Sequence, residues 1–301
     1  MKPRPPLAWS GNARGALWML ASAICFTFMA ALLKVLAQHG FAESQMVFFR
    51  AAAGFAVLTP VALMGGAKAW AVKRPVQVLL RCLFSTLGFF ASFYAFAHLP
   101  LAQAQALSFS RTLFVVALAA LMLKEPVGWR RWAAVGIGFV GVLIMTRPES
   151  ATFSLASLMA LAAAFFFGLA IVTVKDLTRD HSTLTLVLWT NGFTTLAGAP
   201  FAFFGWIQPG WLDLFLLILL GVFGLAAQSC YVRALGTGEA SLLGLIDYVR
   251  LPLAMVMGFV LFAEQPDPAS LLGAGIVIGS TLYITWRESN MRAPLKPPVV
   301  E

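Results

Sequence analysis

An internal repeat is the sequence feature that most constrains this chain. One set of residues recurs 139 positions later, in the pairs Arg111/Arg250, Glu125/Glu264, Gly136/Gly275, Ile137/Ile276, Leu143/Leu282 and Thr146/Thr285. An earlier set recurs 141 positions later, in the pairs Leu20/Leu161, Ala21/Ala162, Ala23/Ala164, Phe26/Phe167 and Lys34/Lys175. A small loop deletion explains the difference between the two offsets. Self-similarity at a fixed spacing indicates that one structural unit is present twice.

The composition places both copies of this unit in a membrane. Hydrophobic residues make up 60% of the 301 positions and charged residues only 11%, whereas soluble domains carry about 25% charged residues. Ten segments approach the roughly 20 apolar residues that a spanning helix requires. They are predicted at about 15–38, 44–64, 77–97, 102–123, 130–147, 154–175, 184–204, 211–233, 240–262 and 269–287. The expected fold class is an all-α polytopic membrane protein with ten transmembrane helices.

The distribution of basic residues predicts the orientation of these helices. Fifteen Lys and Arg residues fall in one set of loops and tails, whereas the opposite set carries only Arg147. Since basic loops stay on the cytoplasmic side, both termini are predicted to be cytoplasmic. Each copy contains five spans, and an odd number makes the second copy enter from the opposite side, so the copies are predicted to be inverted repeats. The predicted division is a tail at 1–14, repeats at 15–147 and 148–287, and a tail at 288–301.

Several functions are disfavoured by the same residues. The formal net charge is +9, but the basic residues are scattered between apolar runs, so a nucleic-acid partner is not expected. Cys25, Cys82 and Cys230 lie in apolar stretches without CxxC spacing, and the three histidines are isolated, so no metal site or cofactor is predicted. The chain has no HExxH motif, GxSxG elbow or Gly-rich phosphate loop, so it is not expected to be an enzyme.

Three stretches of the chain carry a recognisable pattern. They are KVLAQHGFAESQMVFFR from Lys34 to Arg50, and the two helix–Glu–Pro–helix units LMLKEPVGWRRWAAVGIGFVGVLIM and VLFAEQPDPASLLGAGIVIGSTLYI. In these stretches the chain resembles the EamA-like transporters of the drug/metabolite transporter superfamily. In the second unit, Gln265 separates the Glu from the Pro. The resemblance covers essentially the whole chain. It implies secondary transport of small organic metabolites through a central cavity in a bacterial-type inner membrane.

The same resemblance leaves the substrate open between two classes. Amino acids or related compounds, often exported in this family, are the first expectation. A nucleotide-derived or flavin-like solute is the alternative, because aromatic stacking and arginine contacts suit both. A non-transporting scaffold is a third possibility, but it would not explain arginines at matching places in both copies.

Arg111 and Arg250 are the main candidates for binding that substrate. Each lies near the middle of a predicted span, where an arginine costs roughly 2.5–3.5 kcal/mol on insertion scales and needs an aqueous cavity or a partner. Their planar guanidinium groups match a carboxylate or phosphate, and the alternative role is bonding to helix carbonyls or to Asp247. Asp247 shares a helix face with Arg250 and is predicted to pair with it, to bind a substrate ammonium or to take a proton. Pro252 is predicted to open the helix locally.

Other polar residues of the spans are predicted to line the cavity or its entrance. The substrate-contacting candidates are Tyr94, Gln103, Gln105, Trp189, Asn191, Gln228, Tyr231 and Tyr248. Their alternative position is toward lipid or the interfacial belts. Lys34 and Arg50 lie nearer the outer face and are predicted to form a gate or mouth, or else to anchor helices. Glycines in 130–147 and 269–287 are predicted to allow close helix packing, and the resemblance implies that these helices can support a homodimer.

Overall fold

The computed structural model describes residues 11–66, 70–122, 129–146, 154–174, 177, 180–237, 243, 246–265 and 267–291, and within these ranges the chain is helical and contains no strand. The helices are α1 (Gly11–Gln38), α2 (Glu43–Met64), α3 (Pro75–His98), α4 (Leu101–Ser108), α5 (Arg111–Met122), α6 (Trp129–Thr146), α7 (Leu155–Val174), α8 (Thr183–Phe203), α9 (Trp211–Thr237), α10 (Arg250–Phe262) and α11 (Pro268–Met291).

The lengths and outer surfaces of these helices suit a bilayer. In the described part of the chain, six stretches are long and apolar enough to cross a membrane, namely Ala13–Gln38, Glu43–Met64, Pro75–His98, Leu101–Met122, Leu155–Thr173 and Trp211–Ala234. Trp132–Thr146, Arg250–Phe262 and Pro268–Ile284 are shorter apolar helices. Large apolar side chains on the outside are exposed, including Leu121 at 71% and Leu196 at 77%. The prediction of an all-α membrane protein is therefore confirmed, and the ten predicted spans fit the described helices.

The fourth predicted span is not one continuous α-helix. Between α4 and α5, the amides of Phe109 and Ser110 bond three residues back, to the carbonyls of Ala106 at 3.2 Å and Leu107 at 3.0 Å. These i→i−3 bonds tighten the backbone into a 3₁₀-type turn, a feature that often marks a hinge within a helix. Arg111 is the first residue after this turn.

A second tight turn precedes α10, at the position that corresponds to Phe109 in the repeat. The amides of Val249 and Leu251 bond to the carbonyls of Ile246 and Tyr248, both at 3.0 Å. Pro252 had been predicted to open this helix, but it is the third residue of α10. The first-turn amides of a helix have no intrahelical partner, so a proline there removes no helical hydrogen bond. The interruption therefore lies before Arg250 rather than at Pro252.

The helices pack in pairs that match the sequence repeat. α1 packs along α9, and α3 packs along α7. By the repeat spacing, α1 corresponds to α7 and α3 to α9, so each of these contacts is the counterpart of the other. α2 packs on its own counterpart α8, and α6 packs on its own counterpart α11. If each helix is replaced by its repeat counterpart, the same set of helix pairs results.

Glycines allow α6 and α11 to touch through their backbones. A Cβ atom added to Gly141 would lie 2.8 Å from the carbonyl oxygen of Gly273, and one added to Gly273 would lie 2.5 Å from that of Gly141. On the same helices, added Cβ atoms at Gly136, Gly275 and Gly279 would meet no atom within 4 Å. The predicted glycine packing therefore occurs within one chain, and the homodimer stays a prediction.

Substitution of Gly141 by alanine is expected to destabilise the protein, because the new methyl group would meet backbone of α11 that has little room to move. We expect a loss of roughly 1–3 kcal/mol, the usual cost of overpacking. Gly136→Ala is the matched control, since its methyl group enters open space, and it should be neutral or stabilising by up to about 1 kcal/mol. Unfolding of the purified variants measures both, and equal midpoints for the two would contradict the backbone contact.

Candidate functional site

A cavity of about 220 Å³ lies inside the bundle, between α1, α2, α3, α4, α5, α7, α9 and α10. Much of its wall is apolar, with aromatic rings and small alanines on the facing helices. Seven of the residues predicted from the sequence line it: Arg50, Gln105, Arg111, Gln228, Tyr231, Asp247 and Arg250. The two interrupted helices thus bring their polar residues to one place.

Arg250 is held at this cavity by neighbouring polar groups. Its side chain is buried, and its Nε lies 2.7 Å from Oδ1 of Asp247, one turn earlier. The angle of this contact is not that of a hydrogen bond, so it is an ion pair in which both atoms lack a hydrogen-bond partner among the described residues. Another guanidinium nitrogen donates to Ser22 Oγ at 3.2 Å. The ion pair with Asp247, one of the alternatives left open by the sequence, is present in this structure.

Arg111 faces the same cavity without such support. In the described part of the chain it makes no hydrogen bond and no ion pair, although it is partly buried. The turns before Arg111 and Arg250 meet directly, since the rings of Phe109 and Tyr248 are 4.6 Å apart. Tyr248 therefore packs between the two turns rather than lining the cavity, and its hydroxyl bonds to Thr281 of α11.

Arg50 lies in the cavity wall rather than at an outer mouth. It is 7% exposed, and its guanidinium carbon is 3.9 Å from the ring centre of Phe89 on α3. Its Nε has no hydrogen-bond partner among the described residues. The position predicted from the sequence placed Arg50 near a span end, but the long side chain of arginine reaches inward between α1, α3 and α9.

Lys34 lies outside the cavity lining and ties one end of the bundle together. Its ammonium pairs with Glu264 and donates to the carbonyl of Leu99 at 2.7 Å. Glu264 also accepts a hydrogen bond from the amide of Leu101 at 2.8 Å, so it caps the beginning of α4. We call Lys34, Glu264, Leu99 and Leu101 the α1–α4 latch. The repeat counterpart of Glu264, Glu125, lies outside the described residues.

Four other candidates also lie away from the cavity. Tyr94 stacks on His98, with ring centres 4.2 Å apart. The indole of Trp189 is 41% exposed and donates to the carbonyl of Trp70. Asn191 is buried and donates to Val187 within its own helix, and Gln103 donates to Met145. Their predicted substrate contact does not match these positions, because a polar residue of a span can face a neighbouring helix as well as the cavity.

Sequence reasoning missed several residues that build the site. Phe26 and Phe167 both line the cavity, and their matched spacing in the repeat was the signal that could have singled them out. The ring centroid of Phe26 lies 4.8 Å from the guanidinium carbon of Arg250. Phe89 and Ser22 carried no comparable signal.

The charged groups of the cavity are suited to binding a ligand. It holds three arginines and one carboxylate among its described lining residues. Such a set attracts organic anions and can hold them by charge-assisted hydrogen bonds. The described residues contain no group of three His, Cys, Asp or Glu side chains that could hold a metal ion.

Comparison with known proteins connects this architecture to one family. The model of the EamA-like transporter family matches residues 13–147 and again residues 154–286. A solved crystal structure has a similar fold, with a TM-score of 0.61 at 18% identity, over 94% of this chain and all of the other.

Relatives of known description are bacterial transporters that are similar over almost their whole length. An S-adenosylmethionine uptake transporter of Rickettsia prowazekii is 28% identical, over 92% of this chain and 94% of that protein. A riboflavin transporter of Vibrio cholerae is 29% identical, over 93% and 95%. The pseudopaline exporter CntI of Pseudomonas aeruginosa is 27% identical, over 90% and 95%. The two matches to the family model together span most of this chain. The chain therefore belongs to the EamA-like transporter family and is an integral membrane transporter, not an enzyme.

Proposed function

We propose that this transporter carries a small organic metabolite by alternating access and binds an anionic group of it in the central cavity. The observation that carries the proposal is Arg111, a cavity arginine with no hydrogen bond or ion pair in the described part of the chain. A guanidinium is costly in an apolar interior unless an acceptor or water compensates it. A substrate carboxylate or phosphate bound at Arg111, with Arg250 nearby, supplies that compensation.

Amino acids or related compounds are the first substrate class that we propose. The Arg250–Asp247 pair places a cation and an anion side by side at the cavity, which complements the carboxylate and ammonium groups of an amino acid. Gln105 and Gln228 add neutral donors and acceptors to the same wall. A zwitterionic head group would then find a partner for each of its charges.

A nucleotide-derived or flavin-like solute is the second candidate, favoured by the aromatic wall. The rings of Phe89 and Phe167 line the cavity and lie 5.2 Å apart at a steep angle. Such rings stack or make edge contacts with planar heterocycles. The Rickettsia and Vibrio relatives are described as carriers of S-adenosylmethionine and riboflavin, both of which contain a planar ring system.

The proposed mechanism rests on an inverted repeat with cavity residues from both halves. The helix pairs are the same after each helix is replaced by its repeat counterpart, which supports a two-fold relation between 15–147 and 148–287. The loop charges support opposite orientations of the two halves, with cytoplasmic termini in a bacterial inner membrane. Two such halves can rock about a site between them, which exposes it to one side at a time. The tight turns before Arg111 and Arg250 are suited to act as hinges in this motion.

The α1–α4 latch is our proposal for one gate of this motion. It joins Lys34 of α1 to the end of α3, the start of α4 and the segment after α10, where Glu264 lies. The layer beside it is tightly packed, since Leu33, Leu36 and Leu101 are fully buried. The loop charges support an outer-face location for this end, and in that orientation the latch closes the cavity from outside.

Arg111→Gln is expected to weaken substrate binding without unfolding the protein. A screen of amino acids, S-adenosylmethionine, riboflavin and flavin nucleotides for thermal stabilisation identifies the compound to use. Loss of one charge-assisted hydrogen bond, about 1.5–3 kcal/mol, should reduce its apparent affinity and its low-concentration flux in proteoliposomes roughly 10- to 100-fold.

Arg81→Gln is the matched control for this prediction. Arg81 is a partly buried arginine of α3 that donates to Leu186 and Thr190 on α8, away from the cavity. Its loss should lower stability and leave affinity unchanged. Unaltered affinity in Arg111→Gln would remove the basis for the proposed anion site.

Glu264→Gln is expected to open the cavity toward the outer face. The test uses a variant whose native cysteines are replaced and whose cavity residue Ser92 is changed to Cys. A membrane-impermeant thiol reagent applied outside should label this cysteine roughly 5- to 30-fold faster after Glu264→Gln, the effect of a population shift of about 1–2 kcal/mol. Asp213→Asn, which breaks an exposed pair with His39 at the same end, should not change the rate. Equal rates in all three backgrounds would disprove the gate.

A further inference from the structure

Arg50 is a buried cation of the cavity that the proposed carboxylate or phosphate contact at Arg111 and Arg250 does not use. It comes from α2, whereas those two arginines begin α5 and α10. Its guanidinium lies against the face of Phe89, which supplies a favourable π contact but accepts no ordinary hydrogen bond. In the described part of the chain, Arg50 has neither a hydrogen bond nor an ion pair.

The described lining residues offer no acidic side chain to neutralise Arg50. Among the described residues that line the cavity, Asp247 is the only acid, and it is paired with Arg250. Gly224 of α9 gives the Arg50 side chain the room it needs, because a Cβ atom added there would lie 3.1 Å from Nε of Arg50 and equally close to the sulfur of Met29. The sequence thus accommodates a buried cation at the cavity wall and provides no counter-ion for it among the described lining residues.

The Arg50 end and the Arg250 end of the cavity are separated along α1. Ser22 bonds to Arg250, and Met29 lies beside Arg50 at the Gly224 position. Seven residues of α-helix, at 1.5 Å each, separate the backbone positions of Ser22 and Met29 by roughly 10 Å. Phe26 lies between them on the cavity wall. A ligand that reaches both ends must therefore be elongated, with a middle part that tolerates an aromatic surface.

We propose that Arg50 forms a second anion subsite and that the substrate is an elongated organic anion with an anionic group at each end. One group binds at Arg111 and Arg250, which rests on the proposed function, and the other binds at Arg50. A single anionic group compensates only one end and leaves the other guanidinium buried without an acceptor. The second subsite therefore selects substrates with two separated anionic groups over analogues with one.

The test measures how strongly paired compounds protect the purified full-length protein, in nanodiscs of neutral lipid, against thermal unfolding. The probes are the dicarboxylates succinate, adipate and suberate, with butanoate, hexanoate and octanoate as the monocarboxylates of matched length. We expect the best dicarboxylate to bind roughly ten-fold more tightly than its matched monocarboxylate, because it makes one more charge-assisted contact. Arg50→Gln should abolish this ratio, because the dicarboxylate then binds no more tightly than its matched monocarboxylate.

Three further variants test whether the preference for dicarboxylates depends on Arg50 in particular. Arg50→Lys keeps the charge and should keep part of the preference, which also covers the case in which the Gln variant fails to fold. Arg81→Gln removes an arginine that has its own acceptors outside the cavity, and it should keep the full preference. Arg111→Gln should weaken dicarboxylates and monocarboxylates alike.

Several outcomes would overturn the second subsite. It fails if the wild type shows no preference for dicarboxylates, or if the preference survives in both Arg50 variants. It also fails if inorganic phosphate alone gives the whole Arg50-dependent stabilisation, which would make Arg50 a site for an inorganic anion. If Arg111→Gln still weakens binding in any of these cases, the proposed function stands without the second subsite. If no arginine variant changes anion binding, both proposals fail.

Discussion

The cost of burying a positive charge in an apolar bundle governs how this molecule is built. Every basic side chain inside the spans needs an acceptor, an acid, an aromatic face or water. Three are compensated by the protein itself, in the contacts Arg250–Asp247, Arg81–Thr190 and Lys34–Glu264. Arg111 and Arg50 remain without an acceptor in the described part of the chain, and both open onto the cavity. The compensated charges hold helices together, and the two arginines without an acceptor support the proposed substrate site.

The backbone at the two tight turns must also keep its polar groups hydrogen-bonded. A helix passing through a membrane must satisfy its own amides, so it can change direction only where local bonds replace those it loses. The i→i−3 bonds at Phe109–Ser110 and before Arg250 do this, and each turn sets an arginine at the start of the next helix. Because Phe109 and Tyr248 then pack on each other, the two turns are coupled. In the proposed alternating-access motion, this contact connects the segments that carry the two arginines.

The positions of the spans could be predicted from the sequence, whereas the direction in which most residues of a span face could not. The spans and the family follow from long apolar runs and from the repeat, which are visible without a structure. Arg111, Arg250 and Asp247 were identified because a charge in mid-membrane must face the protein interior. Trp189 and Asn191 were predicted to line the cavity but do not, because the buried polar face of α8 packs on α3, where Thr190 and Thr194 make hydrogen bonds. The tight turn at Phe109–Ser110 contains neither proline nor glycine, so the local sequence gives no signal for it. The contact of Arg50 with Phe89 depends on tertiary packing.

The central claim is that the arginine-lined cavity between the two halves holds the transported solute. A structure of the full chain, determined after incubation with an extract of small cellular metabolites, tests this most directly. The account predicts density for an organic molecule in the cavity, with an anionic group within hydrogen-bond distance of Arg111 and near Arg250. Bound density outside the cavity, or a ligand whose anionic group points away from these arginines, would contradict it.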